Sequence, residues 1–168
     1  MAKTVWRGGN MLYPVPAVMV STADRDGRSN IITVAWAGTV CSNPPMVSIS
    51  VMPRRFSHAL LCDSREFVIN LTSRKLQYAC DWCGVRSGAD VNKWQEMKLT
   101  PEPAATLNYA PLSQSLPSTL NAKLPRSRSW EVTICFWLRL PLCRLTILFS
   151  TLQENSIWRV QILQLFPW

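Results

Sequence analysis

The sequence predicts a mainly β domain, a small barrel with helices on its flank, and three observations support this. An apolar, β-branched run over 15–22 leads into the sequence DRDG at 24–27, which is typical of a hairpin turn. Residues 46–52 alternate apolar and small side chains, as a half-buried strand does. Serines precede two short segments of helical composition, at positions where helix caps are common.

The other predicted elements follow in chain order. They are a strand over 30–40 that ends at the Asn43-Pro44-Pro45 break, a short helix N-capped by Ser57 and ending at Cys62, a strand over 67–71, a helix capped by Ser73 and running through Cys80, and a loop over 100–103.

Composition and charge narrow the class of protein. The chain has 168 residues, 48% of them hydrophobic and 17% charged, which excludes global disorder and suits one domain. The net charge of +8 is spread along the chain, since residues 1–112 carry 12 Lys and Arg against 8 Asp and Glu, and residues 113–168 carry 6 against 2. No basic run exceeds two residues, so we expect no nucleic-acid partner.

Targeting signals are not evident. The first ten residues contain no apolar stretch, and the most apolar segment, 134–149, is broken by Arg139, Pro141 and Arg144. The six cysteines show no disulfide-framework spacing. We therefore expect a cytoplasmic protein with reduced thiols and no membrane association.

Cys80-Asp81-Trp82-Cys83 is a CxxC sequence with three interpretations. It could be a redox dithiol, half of a zinc site, or a pair of helical cysteines of which one faces the core. A second CxxC or a histidine pair is lacking, which disfavours zinc, and the core interpretation is favoured over the dithiol. The single histidine, His58, is predicted to be a surface residue rather than a general base.

The segment from Asn30 to Thr39 places polar Asn30 and Thr33 in an otherwise apolar strand with Trp36 and a glycine. Such a strand can present amides and hydroxyls to a planar ligand while the tryptophan supplies an aromatic wall. An ordinary core strand with a packed tryptophan is the alternative, and composition alone favours it.

Taken in order, several segments resemble the flavin reductase-like proteins, the FMN-binding split barrels that include flavoredoxin. They are PVPAVMVSTADRDGRSNIITVAWAG, CSNPPMVSISVMPRRFSHALL, EFVINLTS and CGVRSGADVNKW, within about 13–112. The resemblance implies an FMN-binding split β-barrel and a homodimer that holds FMN near its subunit interface.

The resemblance also implies a set of cofactor-binding residues. Asn30, Thr33, Ala35 and Trp36 would lie along the flavin and its ribityl phosphate, and Ser50, Arg55 and Ser57 would stand where strand, helix and phosphate meet. A helix N-terminus beside a guanidinium suits a dianion. Lys93 would approach the flavin's N1–C2=O edge and raise its reduction potential.

The chain departs from this pattern near Leu112. Residues 113–168 contain eleven leucines, four tryptophans and no glycine, and they lack the histidine and the C-terminal aromatic element of the family. New codons built from the last base of each codon and the first two bases of the next, with free choice of synonyms, can restore family-like strands. The invariant codons of Trp130 and Trp137 permit the required glycine and alanine. We therefore predict a domain of 1–112 followed by a frame-shifted tail, 113–168, of low order, which leaves the barrel incomplete. The nucleotide sequence across codons 108 to 118 tests this hypothesis.

Three functions follow from the resemblance. The first is an FMN-dependent oxidoreductase that moves electrons from a reduced donor such as NAD(P)H to flavin or a downstream acceptor. The second is an FMN-bound electron carrier that serves a redox partner protein and has no substrate site of its own. The third is a non-functional product.

Overall fold

The computed structural model describes residues 8–9, 12–116, 118–129 and 134–142, and side chains as far as 123. The elements in chain order are β1 (Val18–Ala23), β2 (Ser29–Val34), β3 (Ala37–Ser42), β4 (Pro45–Val51), α1 (Phe56–Ser64), β5 (Glu66–Leu71), a 3-10 turn (Arg74–Leu76), α2 (Gln77–Val85), α3 (Lys93–Glu96), β6 (Pro101–Pro103), β7 (Pro111–Ser113), β8 (Ser118–Ser129) and β9 (Ile134–Leu142). Within these ranges no helix is long and apolar enough to cross a membrane.

Seven strands form one curled sheet in the order β2-β1-β5-β8-β9-β4-β3, with every neighbouring pair antiparallel. Strands β2 and β3 lie at opposite edges of this sheet, although only Ala35 and Trp36 separate them in the sequence. The sheet must therefore roll up until its two edges meet at this link. The Ser50 amide donates a hydrogen bond to the Trp36 carbonyl, 2.9 Å away, beside the seam. The predicted barrel class is confirmed.

The predicted hairpin is also confirmed. Strands β1 and β2 pair from Val18 with Val34 to Ala23 with Ser29. The turn needs a glycine at position 27, because the φ of Gly27 is +89° and residues with a Cβ rarely adopt a positive φ. The carboxylate of Asp24, at the start of the turn, accepts hydrogen bonds from the amide and the guanidinium of Arg28, at 2.8 and 2.6 Å.

Both faces of β1 are buried, which explains why its sequence shows no alternation. Val18 and Val20 point into the barrel, whereas Met19 packs beneath α2. The barrel interior contains Val18, Val20, Ile32, Val34, Val47, Ile49, Val51, Leu61, Phe67, Ile69 and Ala122. The outer layer, against α2 and α3, contains Met19, Ile31, Ala79, Cys80, Cys83, Trp94, Leu99 and Leu116. Burying these apolar faces provides the main stabilisation of the barrel and its helical flank.

Two local predictions are wrong in detail. The strand predicted over 30–40 is divided into β2 and β3, because the chain leaves one edge of the sheet at Ala35 and enters the other after Trp36. Ser57 is not the cap of α1, since Arg55 holds that position without a side-chain cap bond. Ser57 is the second residue of the helix and is buried. Its hydroxyl is bound to Asn30 instead.

Beyond Leu112, where the sequence predicts that the domain ends, the structure describes two further strands of the sheet. Strand β8 pairs with β5 from Ser118 with Leu71 to Lys123 with Glu66, and β9 pairs with both β8 and β4. Strand pairing uses backbone donors and acceptors, so the free edges of β4 and β5 can accept an extended segment of unexpected sequence. The completely buried Ala122 fits the interior. The remainder of the predicted tail, 143–168, lies outside the described residues, and the frame shift stays a prediction.

Candidate functional site

A cavity of about 270 Å³ lies where β2, the start of α1 and the loop before α3 meet. We call it the cationic cavity, and its lining residues are Asn30, Ile32, Arg54, Arg55, Phe56, Ser57, Arg86, Ser87, Gly88 and Lys93. Four of them are basic, and no described carboxylate lines it. The N-terminus of α1 adds the partial positive charge of its backbone amides. The cavity is therefore suited to an anion.

Lys93 is the buried cation of this cavity, with only 2% of its surface exposed. The side chain of Asn92 caps α3 by accepting from the amides of Trp94 and Gln95, which fixes Lys93 as the first helical residue. Its ammonium donates to the Cys83 carbonyl at 2.7 Å. Neither ion pair of the described residues includes it. Among the described residues its hydrogen-bond partner is thus a neutral carbonyl, which leaves the positive charge without a carboxylate to balance it.

Burial lowers the pKa of Lys93 to about 8; the nearby Cys83 opposes this shift and the Arg55 guanidinium adds to it. A lysine of ordinary pKa would be fully protonated at neutral pH, whereas this one begins to lose its proton just above neutrality. An anion in the cavity would favour the charged form.

Asn30 and Ser57 form a buried pair that also lines the cationic cavity. The Asn30 amide nitrogen donates to the Ser57 hydroxyl oxygen at 2.8 Å, and the two residues are 3% and 0% exposed. Gly88 is the third member, since a Cβ there would lie 2.4 Å from the Asn30 amide oxygen. Any larger residue at 88 would have to displace Asn30.

A second cavity, of about 190 Å³, adjoins the first and opens at the seam of the barrel. We call it the aromatic cavity, and its lining residues are Ile32, Thr33, Val34, Ala35, Trp36, Ser50, Val51, Met52 and Arg55. Ile32 and Arg55 line both cavities. Trp36 remains 45% exposed, so its ring is accessible to a ligand. The Thr33 hydroxyl donates to the Cys80 carbonyl, which leaves it only as an acceptor.

All eight residues that the resemblance implied line one of these cavities. Asn30, Ser57 and Lys93 line the cationic cavity, Thr33, Ala35, Trp36 and Ser50 line the aromatic one, and Arg55 lines both. Lys93 thus stands with the residues of the cationic cavity rather than beside Trp36.

Sequence reasoning missed six lining residues of the cationic cavity: the apolar Ile32 and Phe56, and a further set of Arg54, Arg86, Ser87 and Gly88. For the second set the signal was present in part, because these four residues belong to the family-like segments PRRFS and VRSGAD. Nothing in those segments distinguishes a lining arginine from a solvated one until α2 and α3 are placed.

The two cysteines of the CxxC sequence are both buried on α2. The Thr72 hydroxyl lies 3.7 Å from the Cys80 sulfur, and burial raises the pKa of the Cys83 thiol to about 11. A thiol that stays protonated is a weak nucleophile, which favours the core interpretation. His58 is half-buried beside Cys62 and lines neither cavity.

Known structures with similar folds include flavin proteins. The flavoredoxin of Desulfovibrio vulgaris is 28% identical, with a TM-score of 0.77 over 94% of this chain and 82% of that one. An FMN-binding protein from Thermus thermophilus, solved with bound 1-cyclohex-2-enone, is 22% identical, with a TM-score of 0.71 over 83% and 75%. The second likeness shows the fold alone.

Sequence relatives extend the comparison. An uncharacterised protein of Pyrococcus abyssi is 25% identical over 109 residues, 65% of this chain and 62% of its own length. Another, of Aquifex aeolicus, is 30% identical over 97 residues, 55% and 50% respectively. The chain therefore spans between half and two thirds of the length of these two curated relatives. The profile described as "Flavin reductase like domain" matches residues 10–135, three quarters of the chain, and the chain belongs to that family.

Proposed function

We propose that the chain is an FMN-binding oxidoreductase that passes electrons between a reduced donor such as NAD(P)H and flavin or a downstream acceptor. One observation carries the proposal: a cationic cavity and an aromatic cavity adjoin and share Arg55. FMN joins a phosphate to a planar aromatic ring system through a short chain. Two connected cavities of these two characters suit its two ends.

The cationic cavity fits a phosphate on two independent grounds. Ser57 is fully buried and accepts from Asn30, while its own proton has no acceptor among the described residues. Lys93 is a buried cation that no described carboxylate neutralises. A phosphate dianion would accept a hydrogen bond from the serine hydroxyl and balance the lysine charge, with Arg54, Arg55 and Arg86 close by.

The aromatic cavity would hold the ring system. Trp36 offers an accessible indole, Ala35 leaves room for a flat group, and Thr33 and Ser50 supply oxygen atoms. Bound FMN supplies the electron-transfer chemistry through its ring. The chain's own residues bind it, orient it and set the charge around it.

The position of Lys93 favours a different role from the one that the resemblance implied. Because it lines the cationic cavity with Ser57 and Arg55, we propose that its ammonium acts on the phosphate end of the cofactor. Any effect on the flavin potential would then be the smaller consequence, since charge interactions weaken with distance.

Two titrations test the proposal, one with FMN and one with riboflavin, which has the ring but not the phosphate. We expect FMN to bind and riboflavin to bind much more weakly. Failure of FMN to bind the folded protein, checked by a cooperative melt, would refute the proposal.

A second candidate is a flavoredoxin-like electron carrier, favoured by the 28% identity with the flavoredoxin of Desulfovibrio vulgaris. Mixing the FMN-loaded protein with NADH or NADPH under anaerobic conditions separates the two functions. An oxidoreductase should bleach the flavin absorbance at 450 nm within seconds to minutes, whereas a carrier should react only after a redox partner protein is added.

The same proposal includes a homodimer. Its support is the half-exposed Trp36, an apolar side chain at the open side of the aromatic cavity that a second copy could cover. Sedimentation velocity in the presence and absence of FMN tests it, and a monomer under both conditions would contradict it.

A further inference from the structure

Asn30 lines the cationic cavity, yet its amide nitrogen is already bound within the protein. Its nitrogen donates to the Ser57 hydroxyl, and its whole amide group lies against Gly88, with oxygen, carbon and nitrogen at 2.4, 2.6 and 2.7 Å from the site of a Cβ. Only glycine at 88 therefore permits this placement. The amide is held between β2 and the loop before α3 with 3% exposure.

The direction of the Asn30–Ser57 hydrogen bond determines what the serine can do. A hydroxyl that accepts from an amide N–H keeps its own proton free to donate elsewhere. Ser57 is fully buried, its proton has no acceptor among the described residues, and it lines the cavity. A buried donor without an acceptor is costly, so the free proton marks a place for a ligand oxygen.

We propose that Asn30 is a positioning residue that, seated on Gly88, turns the Ser57 hydroxyl into a dedicated donor to the phosphate of FMN. This inference rests on the proposed function and deepens it. Asn30 does not itself recognise the flavin. It makes the cavity favour an anionic acceptor over a ligand without a phosphate, because a hydroxyl fixed as a donor suits an oxygen that only accepts.

The test is a double-mutant cycle read as the ratio of FMN affinity to riboflavin affinity. Asn30→Asp keeps the shape over Gly88 but replaces the N–H donor by a carboxylate, which attracts the Ser57 proton away from the ligand. We expect FMN affinity to fall about tenfold to a hundredfold, the range for a lost hydrogen bond to a charged group, with riboflavin affinity nearly constant. Asn30→Ala should lower FMN affinity in the same selective way.

In the Ser57→Ala background, Asn30→Ala should have little further effect, since a residue that acts through Ser57 has nothing left to orient. Additive losses would mean that Asn30 contacts the ligand directly, and equal losses for FMN and riboflavin would mean a structural role. Either result overturns the proposal.

Gly88→Ala provides a second route to the same disturbance, because the new methyl group must displace the Asn30 amide. It should also lower the FMN to riboflavin ratio, and only when Ser57 is present. The matched control is Gly38→Ala on β3, where a Cβ meets nothing within 4 Å, and it should leave the ratio unchanged. If wild-type protein binds no FMN although it binds riboflavin, the proposed function fails first, and this proposal fails with it.

Discussion

The two adjoining cavities share Ile32 and Arg55 but differ in how far their lining side chains are buried and held by hydrogen bonds. The cationic cavity is formed by buried polar groups whose partners fix them in place, such as Asn30 on Gly88 and Lys93 on the Cys83 carbonyl. The aromatic cavity is open at the barrel seam and keeps Trp36 half-exposed. The difference indicates that one cavity supplies affinity for a charged end, while the other leaves a reactive ring within reach of an electron donor.

The largest expected effect on FMN affinity comes from removing the buried charge of the cationic cavity. Lys93→Met keeps the length of the side chain but removes the buried ammonium, and FMN affinity should fall about tenfold to a hundredfold because the phosphate loses a charge-assisted hydrogen bond. Riboflavin affinity should change little. Paired fluorescence titrations measure both, and Lys75→Met, at an exposed site outside both cavities, is the control.

The midpoint potential of the flavin bound to Lys93→Met tests whether Lys93 acts at the phosphate end or at the ring end of FMN. The potential shift and the loss of FMN affinity are compared as free energies. If the potential shift is the larger, Lys93 acts at the ring end, as the resemblance implied, which would contradict its proposed role at the phosphate. Spectroelectrochemical titration of wild type and variant gives that potential.

A change of pH should affect the cationic cavity and leave the aromatic cavity unaffected. Lys93 has a pKa of about 8 in the folded protein against 10.5 as its ordinary value. The unfolded chain therefore holds more protons above pH 8, and this residue's contribution to the free energy of unfolding rises with pH from about 8 to 10.5. Cys83, with its pKa raised from 9.0 to about 11, opposes that rise above pH 9, so the clean window is pH 8 to 9.

FMN affinity should change in the opposite direction over that window, since deprotonation of Lys93 removes a phosphate partner, whereas riboflavin affinity should stay level. Chemical denaturation and titrations at pH 7, 8 and 9 measure both trends. Lys93→Met should abolish both, and a pH-dependent FMN affinity that persists in that variant would assign the effect to another group.

A smaller effect is expected in the aromatic cavity. Trp36→Ala removes an aromatic contact worth about 1 kcal/mol, so FMN and riboflavin should both bind roughly fivefold more weakly, with their ratio preserved. This equal loss of affinity for both ligands contrasts with Lys93→Met, which should weaken FMN binding alone. Trp36→Phe should recover most of the affinity, and unchanged binding in the alanine variant would remove Trp36 from the site.

The smallest effect concerns the cysteines behind the cavities. Cys83 is buried with a raised pKa, and Cys80 is buried against Thr72, so iodoacetamide at pH 8 should modify exposed Cys62 well before either of them. Peptide mass spectrometry over a time course gives the order, and FMN affinity should survive Cys62 labelling. Rapid labelling of Cys80 and Cys83 would reopen the dithiol interpretation.

Local patterns determined much of this protein. The DRDG turn predicted the β1–β2 hairpin because a positive φ at Gly27 is a local requirement, and the alternation over 46–52 predicted β4 because its period is local too. The segments that resemble the flavin reductase-like proteins named residues in both cavities. Ser57, by contrast, carried the sequence signal of a helix cap and is instead bound to Asn30, 27 residues away.

The tertiary structure decided what depends on long-range pairing. Whether 30–40 is one strand or two depends on the sheet curling until its edges meet at Ala35 and Trp36, and no local pattern encodes that closure. Strand β8 has no turn signal near 118, and its pairing is with the backbone edge of β5, which no local pattern in 118–129 encodes. The burial of Lys93 arises in the same way, since a lysine in a polar loop sequence is solvated until α2 presents the Cys83 carbonyl beneath it.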